Sequence, residues 1–124
     1  MVAVVRVLVV DDQAAFLRAM TSVVRETPGF EVVGEASSGE ECLVVAAELV
    51  PDLVLMDLNL PGIDGLEATR RLLGRDCPPV VLLLSTYDED AGEHFVAESG
   101  AVAYVTKSVF GPDLLEEAWS TAVR

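Results

Sequence analysis

The sequence predicts a doubly wound α/β fold, a (βα)5 parallel sheet of five strands in the order 2-1-3-4-5. Two observations predict it. Short β-branched apolar runs alternate five times with longer segments of helical period. A helix separates each strand from the next, so successive strands run parallel, and right-handed crossovers place helices on both faces of the sheet. Neither a repeat nor a low-complexity tract nor a linker interrupts the 124 residues, so residues 1–124 read as one domain.

Residues 4–10 read as the first strand, apolar enough to be buried on both faces. Residues 13–26 carry Phe16, Met20, Val23 and Val24 at helical spacing, and Thr27-Pro28-Gly29 ends that helix. Residues 30–36 form a more polar strand, suited to a position at or near a sheet edge. Ser38 followed by Glu41 is a capping-box pattern that opens a helix to about Leu49, where Pro51 stops it. Residues 53–56 form the third strand, and the loop 58–63 holds Pro61 and Gly62. Asp64 as N-cap starts a helix that Gly74 closes after Leu73. Pro78-Pro79 lead into the fourth strand, residues 80–84. Residues 88–99 read as a helix with an acidic first turn, favourable to the helix dipole, ended by Gly100. Residues 101–105 are the fifth strand. Pro112 opens the last helix, to about Val123.

Composition excludes several classes. The apolar fraction of 52% argues against disorder. No apolar stretch approaches the ~20 residues of a membrane span. Residues 2–10 are broken by Arg6 and lack a basic opening and a small-residue cleavage site, so they do not read as a signal peptide. A cytoplasmic location is expected. Cys42 and Cys77 read as small buried hydrophobes in a reducing compartment. A net charge of −13 argues against direct nucleic-acid binding by this chain, because a DNA reader needs clustered cations. The cations are scattered arginines and one lysine, Lys107.

The chemistry collects where strands end. Asp11 and Asp12 follow the first strand, Asp57 the third, Ser85 and Thr86 the fourth, and Thr106 with Lys107 the fifth. In a doubly wound sheet the ligand site lies beyond these carboxyl ends, at the switch point between strands one and three. Three carboxylates held together repel unless a cation is present. Carboxylate oxygens, a backbone carbonyl and waters are what Mg2+ takes, commonly with phosphate oxygens. A carboxylate can attack phosphorus and hold the phosphoryl group covalently. The non-bridging oxygens then need neutralising charge, which a metal and Lys107 can supply, and a hydroxyl donor such as Ser85. Each residue also has a plainer use: an N-cap for Asp11 or Asp12, a loop acid for Asp57, a solvated charge for Lys107. Their convergence on one edge favours the site.

Taken together, these residues resemble the receiver domain of two-component response regulators, over essentially the whole chain. The resemblance rests on Asp11-Asp12, Asp57, Pro61-Gly62, Asp64-Gly65, Ser85, and Tyr104 with Lys107, in that order. It implies a flavodoxin-like fold and a phosphorylation-activated switch. It implies that Asp57 is the phosphoacceptor, charged from the phosphohistidine of a sensor histidine kinase. Asp12, Asp57 and the main-chain carbonyl of Asn59 become the direct Mg2+ ligands, with Asp11 acting through a metal-bound water. Lys107 pairs with the acyl phosphate, Ser85 is the switch hydroxyl and Tyr104 the switch aromatic. Asn59, Thr86 and Tyr87 take the positions that govern access and phosphoryl lifetime. The face made by the fourth helix, fifth strand and fifth helix becomes the output face and a possible homodimer contact. Trp119 suits either the core or that interface.

Lys107 is followed by Ser108, where many relatives have proline. Lys-Ser resembles the branch whose receivers precede a helix-turn-helix DNA-binding domain, which implies transcription regulation through an output domain that this chain does not contain. A stand-alone phosphorelay receiver and a receiver-like interaction module not driven by phosphorylation remain alternatives. A haloacid-dehalogenase-type phosphatase normally needs a second aspartate where Asn59 stands. The chain therefore reads as a phosphoacceptor with slow self-catalysed dephosphorylation rather than a turnover enzyme. A flavodoxin-type FMN binder would need a hydroxyl- and glycine-rich loop where Asp11-Asp12-Gln13 stand.

Overall fold

The computed structural model of the chain describes residues 3–86 and 92–123. Its strands are β1 (Val5–Val10), β2 (Phe30–Ala36), β3 (Leu53–Asp57), β4 (Val80–Ser85) and β5 (Ala103–Thr106). They form one parallel sheet in the order β2-β1-β3-β4-β5, as the sequence predicts. The helices are α1 (Ala14–Glu26), α2 (Gly39–Leu49), α3 (Gly65–Leu73), α4 (Gly92–Ser99) and α5 (Pro112–Ala122).

Side chains alternate across a strand, and here both faces are covered. Leu8, Val10, Val54, Met56, Val81 and Leu83 pack with Cys42, Ala46, Ala68 and Leu72 of α2 and α3. Val7, Val9, Leu53, Leu55, Leu82 and Leu84 pack on the opposite side with Met20 and Val24 of α1 and Leu115 of α5. This is why β3 and β4 read as apolar runs up to their last residue and β1 departs from one only at Arg6, while β2, at the sheet edge, is mixed. Leu55 is wholly buried, so truncating it to alanine would cost about 2–5 kcal/mol.

Local signals act largely as predicted. Ser38 caps α2 by accepting the Glu41 N–H at 3.0 Å. The return bond of the box is displaced by one residue: Glu41 Oε1 accepts from the Ser37 N–H at 2.6 Å. Asp64 caps α3 by accepting the Glu67 N–H at 2.9 Å. Pro112 lies in the first turn of α5.

Other expectations need correction. The third and fourth strands each extend one residue further, taking in Asp57 and Ser85. The fifth starts later, at Ala103, and ends on Thr106. A 3-10 turn at Lys107–Val109 joins it to the last helix, unannounced by the sequence. The start of the helix expected over 88–99 lies outside the described residues. Cys42 is buried, and burial pushes its thiol up to about 12, against a smaller opposing pull from Arg75. Cys77, expected to be buried, is exposed, in a turn with a left-handed backbone of φ 55°. Trp119 resolves toward the core: its ring meets Phe30 edge-on, 6.4 Å between centroids.

Candidate functional site

The order of the sheet reverses between β1 and β3, and their carboxyl ends lie side by side. Asp57 is the last residue of β3 and pairs in register with Leu84 of β4. The next N–H, of Leu58, donates to Leu84 O at 2.9 Å, so the backbone on both sides of Asp57 is held by the sheet. Asp11 directly follows β1, and its N–H donates to Ala36 O of β2 at 3.1 Å. Its carboxylate is thereby carried inward and is completely buried. Asp11 Oδ1 accepts the Gln13 N–H at 2.9 Å, a turn that leads into α1. Asp12, one residue on, is exposed.

The carboxylates of Asp11, Asp12 and Asp57 come together, with one oxygen from each lying within 4.8 Å of the others. Lys107, at the start of the 3-10 turn, reaches into the group with a side chain only 8% exposed. Its Nζ stands 2.7 Å from Asp11 Oδ2 and 3.3 Å from Asp57 Oδ1. Burial pushes the Asp57 carboxyl up to about 6, and the Asp11 charge adds to the rise. Lys107 and the Asn59 N–H oppose it. Against three carboxylates, one ammonium leaves the cluster net negative.

That arrangement fits a divalent cation. Asp11 Oδ2 is buried and accepts no hydrogen bond of sound geometry among the described residues, leaving the lysine as its ion-pair partner. Asp12 and Asn59 are exposed and offer an approach from solvent. The donor set is all oxygen, the chemistry that Mg2+ takes.

The remaining predicted residues fall around this centre. The Asn59 N–H approaches Asp57 Oδ1 at 3.4 Å. Ser85 ends β4, is fully buried and pairs in register with Thr106. Thr86 follows it and is exposed. Tyr104 lies in β5 with its ring 6.0 Å from that of Phe95 and against Gly92, the first residue of α4. A Cβ at position 92 would collide with this ring. Tyr87 lies outside the described residues.

Two contributors were not singled out from the sequence as parts of the centre. Gly65 donates its N–H to Leu58 O at 3.0 Å, and a Cβ there would strike the Asp57 carbonyl. Its lack of a side chain lets α3 start directly behind the acidic cluster. Phe16 was read as one apolar position of the first helix. Its ring lies under the lysine, 3.9 Å from Nζ to centroid. Helical side chains lean toward the helix N-terminus, so a residue in the first turn of α1 can reach back over the sheet edge.

A fold of this topology with three acids and a lysine at its switch point defines a receiver. Residues 7–119 match the response regulator receiver domain family, and the chain belongs to that family. It is 43% identical over 103 residues to the response regulator GacA of Pseudomonas aeruginosa, covering 83% of this chain and 48% of that protein. It is 36% identical to the transcriptional regulatory protein LiaR of Bacillus subtilis, covering 84% of this chain and 49% of that one. Among solved structures, a LuxR-family two-component response regulator from Aurantimonas superposes with a TM-score of 0.86. There the identity is 32%, and the match covers 98% of this chain and 88% of that one. The chain thus spans about half the length of the curated relatives it matches. None of the described helices is long and apolar enough to cross a membrane.

Proposed function

We propose that Asp57 accepts a phosphoryl group from the phosphohistidine of a sensor histidine kinase, and that the modified residue sets the state of the output face. One observation carries this reading: the sole lysine lies 3.3 Å from a carboxylate that two further acids crowd. In the transfer the N–P bond of the donor breaks and an O–P bond to Asp57 forms, while the imidazole nitrogen keeps the electron pair. Asp57 attacks as the carboxylate. Lys107 is placed to pair with the oxygens of the incoming group. Asp12, Asp57 and the Asn59 carbonyl would hold Mg2+, and Asp11 would act on it through water. When bound, the ion supplies charge neutralisation for both the acids and the phosphoryl oxygens.

The product is a store rather than an intermediate of rapid turnover. Asn59 has no acid with which to protonate a leaving group, so loss of phosphate is slow and self-catalysed. A switch follows only if one conformation binds the phosphoryl group better than the other. Ser85 is the differential contact, moving toward the group, and Tyr104 turns inward in consequence. The face of α4, β5 and α5 changes with them and serves as a homodimer contact. The names of relatives such as LiaR support an output in transcription regulation, exerted through a domain outside these residues. Thr86, with Asn59 and Tyr87, governs donor access and phosphoryl lifetime.

Labelling with a small phosphodonor and Mg2+, comparing wild type with Asp57→Asn, tests the acceptor. Acid-stable label is expected on wild type alone, and equal label on both sinks the proposal. Light scattering with beryllofluoride and Mg2+ tests the dimer, which an unchanged monomer would rule out.

A further inference from the structure

Lys107 has a third neighbour besides its two acids, and that neighbour is not a polar group. The Phe16 ring lies 3.9 Å from Nζ. The other large apolar residues on this part of α1, Leu17 and Met20, pack into the core beneath the sheet. Among the described residues Phe16 belongs to neither of the two apolar clusters, although it is half-buried. Its contact with the lysine is therefore not a by-product of filling the core.

From this we infer that Phe16 is a positioning residue for Lys107, a role that rests on the phosphoacceptor reading of Asp57. An ammonium has three N–H donors on a flexible four-carbon stem. Asp11 Oδ2 at 2.7 Å and Asp57 Oδ1 at 3.3 Å can engage two of these donors. The negative face of an aromatic ring attracts a cation without accepting a proton or competing for phosphoryl oxygens. Packed 3.9 Å from the same head group, the ring takes the place of water there and restrains rotation of the ammonium. The lysine is thus already oriented before the phosphoryl group arrives, as preorganised electrostatic stabilisation requires. Asp11 alone cannot do this. Its strong pull, acting by itself, would draw the ammonium away from Asp57, and the ring limits that drift.

The test exploits the fact that Lys107 is the only lysine in the chain. Its side-chain methylene protons next to Nζ give one assignable NMR signal in the unphosphorylated, metal-free protein. In wild type that signal is expected upfield of an ordinary lysine because of the ring current. Phe16→Tyr and Phe16→Trp should keep the displacement, and Phe16→Leu, apolar and compatible with a helix, should abolish it. Phosphotransfer from phosphoramidate at saturating Mg2+ should slow about tenfold in Phe16→Leu, as expected for losing a desolvated cation–π contact. The loss should fall on the rate constant and not on the donor KM, and Phe16→Trp should restore it. A Phe16→Leu protein that is folded by circular dichroism and transfers at the wild-type rate overturns the inference, as does an ordinary lysine shift in wild type. Failure of wild type itself to label would instead overturn the phosphoacceptor reading, and this role with it. The NMR displacement, measured without phosphodonor, separates the two failures.

Discussion

Replacing Asp57 by asparagine is expected to stabilise the metal-free domain. The carboxyl is 3% exposed and sits beside the buried charge of Asp11. Together these raise it from 3.8 to about 6 despite Lys107. At ~1.4 kcal/mol per pKa unit, the ionised form costs the folded state at most about 3 kcal/mol. Solvent reaching the cluster beside Asp12 screens part of this, and the variant leaves Lys107 with Asp11 as its one anionic partner among the described residues, so about 1 kcal/mol is the expected gain. For a domain of this size that is a rise in Tm of roughly 4 °C. The direction with pH follows from the folded value lying above the unfolded one. The penalty on wild type is complete above pH 6, shrinks as pH falls through about 6, and is gone below about 4. Thermal unfolding of both proteins in EDTA, at pH 7.5 and at successively lower pH, measures it. Added Mg2+ should close the gap by stabilising wild type more, since a ligand stabilises the state that binds it. An asparagine variant that melts at or below wild type in EDTA at pH 7.5 would refute the reasoning. So would an advantage that grows on acidification.

Other substitutions separate the parts of the centre. Lys107→Met should slow phosphodonor labelling by at least tenfold. It should also destabilise the metal-free fold by about 3 kcal/mol, because buried Asp11 loses the counter-charge that stands 2.7 Å from it; urea titration measures the second effect. Gly65→Ala should cost about 2–4 kcal/mol by pushing the start of α3 off the Asp57 backbone, with labelling lost in parallel; a fully stable variant would show that the contact relaxes freely. Thr86→Ala removes an exposed side chain beside the site, and faster labelling by acetyl phosphate is expected, an unchanged rate counting against an access role. Ser38→Ala should lower stability by about 1 kcal/mol through loss of the α2 cap without changing labelling.

Much of this protein is legible in its sequence because its strongest signals are local and periodic. Runs such as residues 80–84 are apolar without alternation because both faces of a central strand are buried, and that alone separates inner strands from the mixed β2. Ser38 and Asp64 announce helix starts because a cap acts within three residues. The strand-end acids are legible because strands in this topology deliver their last residues to one edge. What lies between distant segments had to wait for the tertiary structure. The exposure of Cys77 depends on a turn, not on the hydrophobicity of a thiol. Trp119 found its place only when α5 was laid beside Phe30 at the start of β2. The physical reason for Gly65, already part of the motif, and the place of Phe16 emerged only when their neighbours across the fold were known. The sequence by itself determined which chemistry gathers at one edge, since strand order and residue type are written along the chain. Only the tertiary structure decided how that chemistry is held. The depth at which Asp11 is buried, the pairing of Lys107 and the ring beneath it arise where segments far apart in sequence pack together.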